Sequence, residues 1–303
     1  MPSCITVQDV SESAVALSRD DLPASYWAAS EHSTRGQRVA IRWLAAQLIL
    51  LSGGAVLGAV DGVNAGGIDL GAASAAAALL VSLVPAAWLA ARNPQRAWYE
   101  GRAAAESIKT LAWKYAIRAE PFDCGDQAAI IRLKNDLTAI RLDLSTIAWP
   151  QHETIATPAM SALRAASLPT RRSVYRMGRI DAERRWYAEK TDNYIRMSRR
   201  WSALAVIATV AGLTGGVLKA TGVLAYDGLG AASSIAAAAT AWLQMKQFRP
   251  LAAAYRLTGR ELSAVDHQLE HVTDEPDWAQ RAASAEDAIS REHTMWLARR
   301  EAV

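Results

Sequence analysis

The stretch WLAAQLILLSGGAVLGAV, residues 43–60, contains no Asp, Glu, Lys or Arg. Three further stretches share this property: LGAASAAAALLVSLVPAAWLAA at 70–91, WSALAVIATVAGLTGGVL at 201–218 and GLGAASSIAAAATAWLQM at 228–245. Each has 18 or more residues, close to the ~20 that a helix needs to cross a hydrocarbon core of ~30 Å. Nine-residue loops join the first stretch to the second and the third to the fourth. The sequence therefore predicts two antiparallel helical hairpins.

The average composition hides these stretches. With 51% hydrophobic residues, mean hydropathy +0.02 and net charge +3, the chain matches an ordinary soluble protein, and the stretches could be its buried helices. The flanking charges argue against this interpretation. The 15 residues on each side of the hairpins hold 14 Lys and Arg, whereas the two short loops hold only Lys219. This asymmetry follows the positive-inside rule and predicts an all-α, four-span membrane protein with both termini in the cytoplasm.

Tryptophans mark the predicted cytoplasmic end of every stretch. Trp43, Trp88, Trp201 and Trp242 each lie within one turn of that end. Indole rings concentrate at membrane–water interfaces because they are largely apolar but carry one polar N–H. We predict that these four residues are interface anchors. The N-terminus has no basic segment followed by an apolar stretch, so we expect no cleavable signal peptide.

An internal repeat supports a duplicated unit. LGAAS occurs at 70–74 and again at 229–233, and a Pro-x4-Tyr motif follows each hairpin at Pro94 and Pro250. The Pro-containing segment 149–170 is the best boundary between the copies. We predict one two-span domain over 20–148, a linker over 149–170, a second two-span domain over 171–272 and a cytoplasmic tail over 273–303.

The region between the hairpins is basic and helical. Residues 92–200 hold 20 Lys and Arg against 12 Asp and Glu, a net charge of +8, which suits anionic lipid headgroups or an acidic partner. The pattern predicts helices over 94–120 and 127–145. The absence of proline from 173–218 allows one helix to run from the cytoplasm through the third span.

No catalytic constellation is recognisable, and we expect neither an enzyme nor a bound cofactor. The chain lacks a phosphate-cradling GxxxxGK[ST], a GxSxG and an HExxH motif, and no charge block suggests nucleic-acid binding. His267 and His271 with Glu270 have the spacing of metal ligands, but a solvated helix face is the simpler interpretation. Cys4 and Cys124 are too far apart for a metal motif and cannot form a disulfide framework.

Small and polar residues interrupt the apolar stretches. Close packing of helices within one protomer would explain them, and the four-residue spacings of Gly71 with Ala75 and of Gly230 with Ser234 predict a close helix approach at each glycine. A stripe of hydroxyl groups could instead line a weakly selective oligomeric pore, while the lack of mid-span charge disfavours an ion-coupled carrier. The candidate packing or pore-lining residues are Ser52, Ser74, Ser82, Thr209, Thr214, Ser233, Ser234 and Thr240.

Ordered motifs surround both hairpins. The first copy has DLP at 21–23, Tyr26, Trp27, Ser33 and Gln37 before its spans, and Pro94, Trp98, Tyr99, Arg102, Glu106, Lys109, Trp113, Pro121 and Phe122 after them. The second has Tyr175, Arg179, Asp181, Trp186, Tyr187, Lys190 and Asn193 before its spans, and Tyr255, Glu261 and Leu262 after them. In this order the motifs resemble the SLATT family, the SMODS- and SLOG-associating two-transmembrane effector domains.

The resemblance implies a bacterial membrane effector of a conflict system, such as antiviral defence by abortive infection. Such an effector is expected in the cytoplasmic membrane, where it forms pores or perturbs the bilayer when a sensor protein or a nucleotide second messenger signals. The chain carries no recognisable nucleotide-binding module of its own. The residue pattern itself predicts packing anchors at Trp98, Tyr99, Trp113, Trp186, Tyr187 and Tyr255, with Arg102 and Glu106 as a supporting pair.

Two functions remain open from the sequence. The first is a homo-oligomeric, pore-forming effector. The second is a non-conducting membrane scaffold that recruits a cytoplasmic partner through its basic region, with Arg171, Arg172, Arg184 and Arg185 as the contact surface.

Overall fold

A computed structural model describes residues 16–60, 64–224 and 228–301, with side chains described as far as residue 290. Cys4 lies outside the described residues. A 3-10 turn at Arg19–Asp21 precedes the first α-helix, and a π-helical turn at Arg176–Ile180 lies between the sixth and seventh. The helices are α1 (Ala24–Gly58), α2 (Leu70–Arg92), α3 (Pro94–Ala116), α4 (Asp126–Asp143), α5 (Pro158–Ala165), α6 (Leu168–Tyr175), α7 (Asp181–Ala220), α8 (Gly228–Lys246), α9 (Phe248–Glu270) and α10 (Glu275–Glu301).

The predicted all-α class is confirmed. Among the described residues, three helical segments are long and apolar enough to cross a membrane: α1, α2 and the segment Leu168–Ala220, which ends in α7. The last of these confirms that one helical segment continues from the basic region into the third charge-free stretch. The fourth stretch forms α8, which does not reach the same apolar criterion.

The connection between α1 and α2 contains a small β-ribbon that the sequence pattern did not predict. Strands β1 (Asn64–Ala65) and β2 (Ile68–Asp69) pair antiparallel around Gly66 and Gly67. Both glycines have positive φ, +59° and +82°, which suits a two-residue hairpin turn. Asp69 then caps α2, because its carboxylate accepts hydrogen bonds from the backbone N–H groups of Gly71 and Ala72 at 2.8 and 3.1 Å.

The two sequence copies share a structural break. A single left-handed residue separates α2 from α3 and α8 from α9: Asn93 with φ +36° and Gln247 with φ +48°. Both α3 and α9 then run for 23 residues. The predicted duplication is therefore visible in the secondary structure as well as in the repeated motifs.

The described chain forms two compact units, and each contains parts of both sequence copies. The first, here called the polar unit, comprises 16–32, 99–186 and 258–301. The second, called the apolar unit, comprises 33–60, 64–98, 187–224 and 228–257 and holds the four charge-free stretches.

The polar unit has a conventional buried core. Trp113, Tyr175 and Trp278 form a cluster in which Tyr175 meets both indoles edge-on, with ring centroids 5.7 and 5.9 Å apart. Trp278 is fully buried, and its indole N–H donates to the carbonyl of Ile117 at 2.8 Å. The buried Arg164 donates to the carbonyl of Tyr115 in the last turn of α3 at 3.0 Å and to those of Phe122 and Cys124 in the α3–α4 connection at 2.8 and 2.7 Å.

The apolar unit is held by close contacts between neighbouring helices. A Cβ at Gly58 of α1 would lie 3.0 Å from the Cβ of Ala75 of α2, and one at Gly212 of α7 would lie 3.1 Å from that of Ala232 of α8. The expected close approach at Gly71 is present, since a Cβ there would lie 2.4 Å from the carbonyl of Val60. The close approach expected at Gly230 is absent, because a Cβ there would meet nothing within 4 Å. Gly212 of α7 makes the close contact with α8 instead.

A further close approach joins α1 to the start of α3. A Cβ at Gly36 would lie 2.7 Å from the backbone nitrogen of Trp98 and 3.1 Å from the carbonyl of Pro94. Ser33 reinforces the contact by donating its hydroxyl to the carbonyl of Trp98 at 3.0 Å. Because the obstructing atoms belong to the backbone, a side chain could be accepted only if α1 and α3 moved apart.

We predict that Gly36→Ala lowers the thermal midpoint of the detergent-solubilised protein, with a cost of about 1–3 kcal/mol. Gly53→Ala is the matched control in the same helix, since a Cβ there meets nothing within 4 Å. Alanine favours helix over glycine by about 1 kcal/mol, so the control should be unchanged or more stable. Equal behaviour of the two variants in circular dichroism melts would contradict the predicted clash.

Candidate functional site

The four predicted interface tryptophans lie in two pairs within the apolar unit. Trp43 of α1 stacks on Trp88 of α2 with ring centroids 4.9 Å apart, and Trp201 of α7 contacts Trp242 of α8 at 5.6 Å. Each pair joins the beginning of one apolar stretch to the end of the next. The two members of a pair therefore lie at the same level along their helices, as the sequence predicts for one side of a membrane.

Most of the candidate pore-lining hydroxyls are satisfied within their own helices. Ser74 and Ser82 donate to carbonyls three residues earlier at 2.9 and 2.7 Å. Thr209, Thr214 and Thr240 donate to carbonyls four residues earlier at 2.8–2.9 Å. Ser234 donates to Ala231 at 2.8 Å. Such bonds remove the cost of a hydroxyl in an apolar medium, so these residues do not by themselves form a wet path through one protomer.

One face of α8 is small, polar and exposed. It consists of positions spaced three and four residues apart, which a helix places on one side. Every member is exposed, and a Cβ at the first would meet nothing within 4 Å. This surface, called the α8 face below, consists of Gly230, Ser233, Ala237, Thr240 and Gln244.

The apolar unit also contains a partly open cavity of about 340 Å³ between α1, α7 and α8. Trp201 and Trp242 line one end, and Leu204 and Ala238 contribute aliphatic surface. Ser52 is the only one of the eight candidate hydroxyl residues among the lining residues of this cavity. The volume of the cavity lies at the lower end of the ~300–1,000 Å³ usual for ligand pockets.

The polar unit contains an ion-pair network that links both sequence copies. In α3, Glu106 contacts Arg102 at 3.2 Å and Lys109 at 2.6 Å. Lys109 reaches Glu183 of α7 at 2.9 Å, and Glu183 contacts Arg179 of the π-helical turn at 2.6 Å. The network ends at Glu286 of α10. The ion-pair network consists of Arg102, Glu106, Lys109, Glu183, Arg179 and Glu286.

Glu286 is the most deeply placed member of the network. It is 0% exposed and accepts two hydrogen bonds from the Arg179 guanidinium, both at 2.8 Å. The Tyr175 hydroxyl donates to the same carboxylate at 3.0 Å. A carboxylate this deep requires such partners, because an unpaired buried charge is strongly unfavourable.

These surroundings move the pKa values of three groups. Burial, reinforced by the Glu286 charge, raises the pKa of Tyr175 well above its ordinary value. Burial disfavours the charged form of Arg179, but the Glu286 carboxylate outweighs it and raises the pKa of Arg179. Burial likewise disfavours ionised Glu183, but the charges of Lys109 and Arg179 prevail and lower its pKa. All three groups therefore keep their usual ionisation at neutral pH.

The predicted packing anchors occupy both units. In the polar unit, Trp113 packs on Tyr175, and the Arg102 guanidinium lies 5.7 Å from the centre of the Trp186 ring. Tyr99 is half-buried. In the apolar unit, Tyr187 contacts Tyr255 with ring centroids 5.5 Å apart. Trp98 contributes its backbone to the contact with Gly36.

Sequence reasoning missed the central members of the network. By itself, the run of charges at Asp181, Glu183, Arg184 and Arg185 is typical of an exposed helix face with pairs along the helix. Arg184 does contact Asp181 at 3.0 Å, but the Glu183 side chain is only 17% exposed. The i, i+4 spacing of Arg179 and Glu183 was a usable signal, whereas nothing local pointed to Glu286, which lies 107 residues from Arg179.

The histidine cluster at the end of α9 is an exposed surface feature. One potential ligand atom from each of His267, Glu270 and His271 lies within 4.8 Å of the others, and all three residues are exposed. Glu270 also faces Arg176 at 3.7 Å. This is the arrangement expected for neighbouring residues on one solvated helical turn.

Comparison with known families identifies both copies. Residues 23–172 match the model for SMODS and SLOG-associating 2TM effector domain 3, and residues 175–296 match the model for SMODS and SLOG-associating 2TM effector domain 1. The chain therefore belongs to this family and contains two of its domains in tandem. The search of curated proteins and the search of solved structures found no match.

We predict that Glu286→Leu destabilises the protein by about 3–5 kcal/mol, because it removes the buried carboxylate that accepts two hydrogen bonds from Arg179 and one from Tyr175. Asp287→Asn is a neighbouring control: Asp287 pairs with Lys114 at 2.6 Å but is 69% exposed, so its removal should cost at most about 1 kcal/mol. Thermal unfolding followed by circular dichroism measures both. Similar losses for the two variants would contradict the central role of Glu286.

A second prediction concerns acid stability. The pKa of Glu183 is lower in the folded protein than its ordinary value of 4.5. The stabilisation from this group is therefore present above about pH 4.5 and is lost as pH falls through the lower, folded-state pKa. Thermal midpoints measured from pH 7 to pH 3 should fall more steeply for the natural protein than for Glu183→Gln. Parallel curves would contradict the assignment.

Proposed function

We propose that this chain is a homo-oligomeric effector that permeabilises or perturbs the bacterial cytoplasmic membrane. In this proposal α1 with α2 and α7 with α8 are two membrane-spanning hairpins, and both termini lie in the cytoplasm. The family description as a 2TM effector domain supports a membrane effector in each copy. The association with SMODS and SLOG in that description supports an activating sensor protein or nucleotide messenger.

Several observations support spanning by α8 despite its modest hydropathy. It has 19 residues, packs closely on α7 through Gly212 and carries Trp242 at the level of Trp201. The loop between the two helices holds one basic residue, Lys219, whereas the outer flanks of the hairpins are rich in Lys and Arg. A hairpin returning to the same side of the membrane satisfies all these constraints.

The observation that carries oligomerisation is the α8 face. Several positions on the outside of the other helices carry large apolar side chains, such as Leu80 of α2 and Ile207 of α7, which are 68% and 65% exposed. The α8 face instead presents glycine, alanine, hydroxyl and amide groups. Small and polar surfaces promote association of helices in lipid, and the same groups can line a weakly selective water path. Several copies meeting through α8 would place these groups around a common axis.

The scaffold alternative has less support. Of the four arginines assigned to a partner surface, Arg171 is buried and donates to the carbonyl of Ile117 at 2.9 Å. Arg172 donates to the carbonyl of Val272, and Arg184 pairs with Asp181 and Asp266. Arg185 is the exposed member of the four. Charge reversal at Arg171 would thus disturb the polar unit itself, whereas Arg185→Glu is the sharper test of recruitment.

We predict that Ala237→Leu on the α8 face weakens self-association and lowers membrane permeability about tenfold, because a large side chain holds apart helices that meet through small residues; a tenfold change corresponds to about 1.4 kcal/mol of association free energy. Permeability is measured by dye release from vesicles containing the purified full chain, and by a membrane-potential dye in cells expressing it with its activating partner system. Oligomeric state is measured by light scattering in detergent.

The matched control is Ala77→Leu, the same substitution at an exposed position of α2. It should leave both permeability and oligomeric state unchanged. Loss of function in both variants, or full dye release by a monomeric Ala237→Leu protein, would overturn the oligomeric pore. Unchanged polarisation of cells under activating conditions together with loss of function in Arg185→Glu would favour the scaffold.

A further inference from the structure

We propose that the cavity between α1, α7 and α8 is a binding site for one acyl chain of an anionic phospholipid, whose phosphate group is held by Arg42, Arg200 and Lys246. This inference rests on the membrane placement of the apolar unit and does not depend on pore formation.

The first step is the position of the cavity along the helices. Trp201 and Trp242 line one end, which their interface role places at the level of the lipid headgroups. On α1 the lining runs from Ala45 to Ser52, seven residues deeper, or about 10 Å at 1.5 Å per residue. The cavity thus extends from headgroup level into the hydrocarbon, as an acyl chain does.

The second step is the chemistry of the lining. It combines aliphatic side chains and two indole rings with a single hydroxyl, that of Ser52. A cavity of this kind offers dispersion contacts but almost no hydrogen bonds, so a hydrocarbon chain suits it better than water or an ion. In a bilayer the molecules that surround its opening are lipids.

The third step is the charge at the tryptophan end. Arg42 precedes the lining residue Ala45 by three positions on α1, Arg200 directly precedes Trp201 on α7, and Lys246 follows Trp242 by one turn on α8. The Lys246 ammonium lies 5.3 Å from the centre of the Trp242 ring. Three different helices therefore bring a cation to the same end of the cavity.

The three cations at the cavity differ from those of the polar unit in their distance from carboxylates. There, cations such as Lys109, Arg179 and Arg176 meet carboxylates within 4 Å. Within the described residues, neither Arg42, Arg200 nor Lys246 has a carboxylate within that distance, and both arginines are exposed. Three cations without a protein anion at the mouth of an apolar cavity match a ligand with a phosphate head and a hydrocarbon tail.

Binding is tested with the full chain purified in detergent and delipidated. Native mass spectrometry is used to compare phosphatidylglycerol with phosphatidylcholine of identical acyl chains. The expected result is one retained phosphatidylglycerol per chain and weak retention of phosphatidylcholine. Arg42→Gln and Lys246→Gln should each reduce the preference for the anionic lipid about fivefold, whereas Arg256→Gln, an exposed arginine of α9, should not. Equal retention of the two lipids by the natural protein would overturn the proposal.

Occupation of the cavity is tested by filling it. Ala238→Phe should reduce retained phosphatidylglycerol at least fivefold, while Ala77→Phe, on an exposed surface away from the cavity, should leave it unchanged. Ser52→Leu, a smaller filling substitution, serves if Ala238→Phe fails to fold. Equal retention in the filled and control variants would mean that the lipid binds elsewhere. A change in oligomeric state without loss of lipid would identify the cavity as a contact between copies and also overturn the proposal.

Discussion

The cost of placing charge in hydrocarbon governs the arrangement of this protein. Four stretches of 18 or more residues contain no charged side chain, and all of them fall in the apolar unit. Within the membrane no water can satisfy a polar group, so hydroxyls such as those of Ser82 and Thr214 donate to their own helices. The charges excluded from these stretches must be accommodated elsewhere, and the polar unit does this by pairing them.

The ion-pair network connects residues of both sequence copies. Lys109 belongs to the first copy, while Glu183, Arg179 and Glu286 belong to the second. Three positive and three negative groups compensate one another, so the network is neutral although its centre is buried. Two domains that are tandem in sequence therefore share one polar unit and one apolar unit. Substituting a member of this network affects contacts of both copies.

The apolar unit distributes its polar groups unevenly. Most of the small and polar positions predicted to matter are used inside single helices or between neighbouring helices. Two surfaces of the described apolar unit are the proposed contact sites: the α8 face and the cavity between α1, α7 and α8. The first offers small residues suited to another protein helix, and the second offers apolar surface next to unpaired cations. Their different chemistry supports different occupants, a second copy for one and a lipid for the other.

Local patterns made much of this protein predictable. The charge-free stretches, the all-α class, the duplication and the family resemblance depend on residues close together in sequence, where helical geometry and transfer energies act directly. The ribbon between α1 and α2 was missed because two-residue strands carry almost no periodic signal. Gly230 was assigned to close packing because its spacing to Ser234 suits a contact, but spacing does not reveal which side of a helix meets a neighbour.

The sequence alone therefore determined which segments lack charge, which end of each carries tryptophan and which family the two copies resemble. Only the tertiary structure decided that Glu286 meets Arg179, that the α8 face is exposed and that α1, α7 and α8 line a common cavity. The physical reason is that hydrophobicity and helix formation are properties of neighbouring residues. Pairing of charges 107 residues apart and the selection of a helix face depend on how distant segments pack, which no local pattern encodes.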